Sequence, residues 1–75
     1  MEEEGVYLKE VKISTEYIEL EQLLKFTGTV QRGSDAKMVI SSGAVLVNGQ
    51  AELRRGKKLR PGDIVEYGGD VFKII

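Results

Sequence analysis

Cysteine, histidine and tryptophan are absent from this 75-residue chain, and proline occurs once. Without cysteine no disulfide staples the fold, and without histidine as well the usual zinc ligand sets are unavailable. The same gaps remove the imidazole base and the thiolate nucleophile, so catalysis would have to rest on carboxylates, Lys, Tyr or Ser. Nothing in the chain pairs these groups. The triplet Glu2 to Glu4 reads as a solvated terminus, and "RGSDAK" has neither the length nor the glycine pattern of a phosphate-cradling loop. The expectation is a protein that is not an enzyme and needs no cofactor or metal. No apolar run approaches the roughly 20 residues that span a bilayer. The start "MEEEG" lacks the basic, then apolar pattern of a secretory signal. Cytoplasmic residence without a membrane partner is therefore expected.

What is present is enough for one small core. A chain this short buries roughly 60% of the surface its unfolded form exposes. Its charged fraction of 31% exceeds the ordinary ~25%, so the surface is well solvated. The net charge of -1 conceals a sorting of charge along the chain. Residues 1–31 carry three Lys and seven Glu; from Arg32 to Arg60 seven cations face only Asp35 and Glu52; the last fifteen residues set Lys73 against Asp63, Glu66 and Asp70. A basic block thus lies between acidic flanks. If folding gathers it on one face, the potential there is positive despite the acidic pI.

The periodicity predicts an α+β domain, with two short helices on a small, mainly antiparallel sheet. "VYLKEVKIS", Val6 to Ser14, alternates loosely and is β-branched and aromatic, as an edge strand would be. In "ELEQLLKFT", Leu20, Leu23, Leu24 and Thr27 follow the spacing of one helical face, and Gly28 suits the end. "SDAKMVISSG" predicts a second helix with Ser34 as N-cap and Asp35 in the first turn. Ala36, Val39 and Ile40 then face inward while Lys37 and Ser41 share the flank. "VLVNGQ" changes to a strand period and reverses at Asn48-Gly49, "RPGD" supplies another turn, and "DIVEY" and "VFKII" form a hairpin about Gly68-Gly69. Val45, Val47, Ile64 and Phe72 read as core. An acidic segment, residues 1–11, which begins the edge strand, precedes a single domain over 12–75.

The densest cationic stretch is Arg54 to Arg60, where Arg54, Arg55, Lys57, Lys58 and Arg60 occupy seven positions with no carboxylate between them. Such runs are often only solvated loops. Three of the five are Arg, whose planar fork matches phosphate oxygens, and Gly56 between them lets backbone approach a ligand. The five aromatics, Tyr7, Tyr17, Phe26, Tyr67 and Phe72, all lie outside Arg32 to Arg60, too scattered to promise a platform for stacked bases. A cation-rich, aromatic-poor surface reads phosphate spacing, so hairpins and junctions are expected to bind better than unstructured strands.

Residues 36–65, "AKMVISSGAVLVNGQAELRRGKKLRPGDIV", resemble the RNA-binding domain named after small-subunit ribosomal protein four, the alpha-L RNA-binding motif. The resemblance is carried by Ala36, Ile40, Gly43, the "V-x-V-N-G" of Val45 to Gly49, and "PGD" at Pro61 to Asp63. Glu52 to Leu59 resemble its short stand-alone YaaA-like branch, and the likeness covers about residues 12 to 75. It implies two helices on a small sheet, with structured RNA, ribosomal RNA among the candidates, held between the second-helix region and the hairpin. It also implies phosphate contacts from Lys37, Arg54, Arg55, Lys57, Lys58 and Arg60, joined by Arg32. Many members carry Ser-Arg where this chain has Arg32-Gly33, which displaces the Arg by one position. A DNA-binding module, or a protein-interaction module docking an acidic partner, would share the same electrostatics.

Overall fold

Leu20, Leu23 and Leu24 form one stripe of a 3.6-residue period, and all three are fully buried in the computed structural model, which describes residues 7–75. They lie on helix α1, Leu20–Phe26. Its end is tied by the Thr27 N–H and hydroxyl, which donate to the Leu23 carbonyl at 3.0 and 2.9 Å. Helix α2 spans Gly33–Ser41 and buries Ala36 and Ile40, with Val39 partly buried beside them. Lys37 and Ser41 are exposed together, as their spacing requires. Ser34 is not the cap. Arg32 is the extended N-cap residue and makes no side-chain capping bond, and Ser34 lies inside the first turn. The chain is already helical at Gly33, two positions earlier than a serine cap would start it.

Among the described residues seven strands complete the fold: β1 Tyr7–Val11, β2 Ile18–Glu19, β3 Leu46–Val47, β4 Gln50–Ala51, β5 Lys58–Leu59, β6 Ile64–Tyr67 and β7 Asp70–Ile74. Five form a sheet in the order β1-β7-β6-β3-β4, and β2 with β5 forms a separate ribbon. All pairs are antiparallel except β1 with β7, whose register runs from Tyr7↔Asp70 to Val11↔Ile74. β1 is an edge strand as expected, though it ends at Val11 rather than Ser14. Val6 and Glu2 to Glu4 lie outside the described residues.

Both two-residue hairpins use the turn geometry that their residues permit. Asn48 and Gly49 have φ of 53° and 84°, and Gly68 and Gly69 have 61° and 90°. Positive φ at both central positions is the twist that matches antiparallel strands. Asn48 also clasps the neighbouring turn. Its Oδ1 accepts from the Ile64 N–H at 2.9 Å and its Nδ2 donates to Asp63 Oδ1 at 3.1 Å.

The core lies between the helices and the sheet. Leu20, Leu23, Leu24, Ala36 and Ile40 from the helices meet Val47, Val65, Phe72 and Ile74 from the strands, with Val45 just before β3. Burying a Leu or Ile side chain is worth roughly 1.5–3 kcal/mol, an upper bound given a compact unfolded state. Ile64, expected in the core, is only partly buried because its neighbour Val65 takes the inward position on β6.

Candidate functional site

The basic connection from Arg54 to Arg60 is anchored by its backbone, which leaves its side chains outside. The first N–H groups of an α-helix have no partner within the helix. In α1 those of Leu20 and Glu21 donate to the carbonyls of Lys57 and Arg55 at 2.9 and 3.0 Å. The Lys57 N–H closes a turn on the Arg54 carbonyl at 3.3 Å. Lys58 and Leu59 then pair with Ile18 and Glu19 as the β2–β5 ribbon, and Leu59 is fully buried. At the far end the Arg60 N–H donates to Asp63 Oδ2 at 2.8 Å. The stretch is therefore fixed from both sides. Its ribbon is invisible to periodicity, since two residues a strand is too short to show a period.

Arg54, Gly56, Lys57, Lys58 and Arg60 line one open notch of about 470 Å³. Gly56 has no positive φ, and a Cβ placed there would meet nothing within 4 Å. The fold therefore does not demand glycine at this point, and its missing side chain leaves the notch floor open. Lys37 on α2, Arg32 before it and Arg55 are not among the residues lining the notch.

The cations are not equivalent. Arg54 makes a two-pronged contact with Glu52, Nε to Oε2 at 2.9 Å and Nη2 to Oε1 at 3.3 Å, and its backbone N–H donates to the same Oε2 at 3.1 Å. Arg55 Nη1 lies 4.0 Å from Glu21 Oε1, and Arg32 Nε lies 3.8 Å from Asp35 Oδ2. Absence of carboxylates within the block thus did not leave it unneutralised, because Glu52 precedes it by two residues and α1 brings Glu21 alongside. Lys37, Lys57, Lys58 and Arg60 have no ion-pair partner among the described residues. They are the cations with charge to offer.

The Arg54 side-chain hydrogen bonds hold the Glu52 carboxyl below its usual range, outweighing the opposite push from partial burial. The same contacts raise Arg54 above its ordinary value. A depressed folded-state pKa contributes stability above the unfolded value near 4.5, lost as pH falls through the lower folded one. The Arg54 amide proton should accordingly shift in an NMR titration with a midpoint below 4.5. A midpoint at or above that value would mean that the clamp does not form in solution.

Aromatic placement departs from the sequence expectation. Lys58 Nζ and Arg60 Cζ lie 5.0 and 5.6 Å from the centre of the Tyr17 ring, within the range of cation–π attraction. Tyr17 and Phe26, nine positions apart, line a common cavity. The sequence signal for this was weak: one aromatic before α1 and one at its last residue, with no period linking them.

A model of the S4 domain matches residues 11–75. Over 59 residues the chain is 46% identical to "Probable ribosome maturation protein RlbA" of Bacillus subtilis (strain 168), which covers 79% of this chain and 83% of that one. YbcJ of Escherichia coli (strain K12) is 34% identical over 59 residues, covering 79% and 84%. The solution structure of E. coli YbcJ superposes with a TM-score of 0.72 at 28% identity, covering 100% of this chain and 96% of YbcJ. That structure was described as an alpha-L motif involved in RNA binding. With the family model matched over residues 11–75 and the whole fold superposing on that structure, this chain belongs to the S4 domain family.

Proposed function

We propose that this protein is a non-catalytic RNA-binding module that grips structured RNA through the notch between Arg54 and Arg60. The observation that carries the reading is the set Lys57, Lys58 and Arg60, three cations without carboxylate partners among the described residues, held on a backbone tied to α1 and β2. Arg54, preset by Glu52, offers the rest of its guanidinium to the same notch. Arg55, Lys37 and Arg32 supply outer contacts on the flanks. The alpha-L description of YbcJ supports RNA as the ligand, and the ribosome-maturation name of the Bacillus relative favours folded ribosomal RNA.

Phosphates neutralised by fixed cations release condensed counterions, so affinity falls with salt. Four notch cations give a slope of log affinity against log salt on the order of -3 to -4. Filter binding of an RNA hairpin across a salt series, beside a DNA duplex of the same sequence, tests both the mechanism and the nucleic acid. A slope near zero, or tighter binding of the DNA, would reject the reading.

A further inference from the structure

An open cavity of about 780 Å³ lies beside the notch and is lined by Glu16, Tyr17, Ile18, Gln22, Lys25 and Phe26, together with Thr15. Phe26 ends α1 and is 70% exposed, so the core makes little use of its ring. Tyr17 forms the wall that this cavity shares with the basic connection, since Lys58 and Arg60 sit against its ring. Gln22 spends its carbonyl oxygen on the Glu19 N–H at 3.3 Å, which leaves its amide donors uncommitted by that bond. Lys25 has no ion-pair partner among the described residues.

An exposed ring, an amide, a carboxylate and a cation stand next to a row of phosphate-ready cations. A flat apolar face joined to an anionic link answers all of these, and an unpaired nucleotide has both. We propose that this cavity takes one unpaired base of the bound RNA, stacked on Phe26, while its flanking phosphate rests on Lys58 and Arg60. The inference deepens the RNA-binding reading and rests on it. It also revises the expectation of pure shape recognition, since a bulged or looped nucleotide in a folded RNA would be read as well as its phosphates.

The test uses a short RNA hairpin with a single bulged 2-aminopurine and the same hairpin fully paired. Wild-type protein should quench the bulged fluorophore and prefer the bulged hairpin. Phe26→Ala should weaken the bulged hairpin about 5- to 100-fold, the weight of one stacked base, with the paired hairpin and the salt slope unchanged. Phe26→Tyr should retain binding, whereas Phe26→Leu, apolar but without a π face, should behave like alanine. Absence of quenching, equal losses on both hairpins, or wild-type behaviour of Phe26→Leu would overturn the base site. If those failures occur while Lys57→Ala/Lys58→Ala still weakens both hairpins, the cavity assignment alone falls. If that double variant also binds like wild type, the notch falls as the binding surface, and if wild-type protein binds neither hairpin the RNA-binding reading falls with it.

Discussion

Ile40→Ala should lower the melting temperature by roughly 10 to 40 °C, because a buried Ile to Ala change costs about 2–5 kcal/mol and each kcal/mol moves a small domain about 4–8 °C. Ile40 is fully buried on α2, facing a core with no disulfide to compensate. Lys37, three residues earlier, is exposed. Lys37→Ala should stay within about 0.5 kcal/mol of wild type in stability and act on RNA affinity instead. Parallel circular dichroism melts decide this, and a larger loss for Lys37→Ala would mean that α2 is rotated from the phase described.

Lys57→Ala/Lys58→Ala should weaken RNA binding roughly 50-fold at ~0.1 M salt and flatten the salt slope by about 2, the loss expected for two phosphate contacts. Neither ammonium has an ion-pair partner among the described residues, so no carboxylate is stranded by removing them. The backbone bonds that fix the connection remain, since the Lys57 carbonyl and the β2–β5 pairing do not depend on the side chains. Thermal stability should therefore change little. Arg54→Ala should flatten the slope less than either lysine does, because Glu52 already offsets its charge. An unaltered slope in a folded double variant would remove the notch from the binding surface.

Features written in local spacing were legible from the sequence. The leucine stripe placed α1, and the Asn48-Gly49 and Gly68-Gly69 pairs placed both hairpins, because turn chemistry acts over neighbouring residues. Phe72 and Val45 were recognisable as core by alternation. Contacts between residues distant in sequence were not legible. The β2–β5 ribbon has two residues on each side, the Arg55–Glu21 pair depends on how the connection lies against α1, and the Tyr17 cation contacts depend on that ribbon. Ser34 failed for a different reason: a good capping residue is a preference worth ~1 kcal/mol, and two extra residues of helix override it.

The parallel register of Tyr7 with Asp70 joins the two most distant strands of the sheet. β7 lies between β1 and β6, so β1 has no strand to pair with until residues 70–74 have been made. The β3–β4 hairpin and the helices join residues close in sequence, whereas β1 pairs only with a strand that begins at Asp70. Such a distant pairing closes a long loop and is slow relative to local turns. Completion of the sheet therefore waits on β7, and a chain cut before residue 70 would leave β6 as an open strand edge to its neighbours.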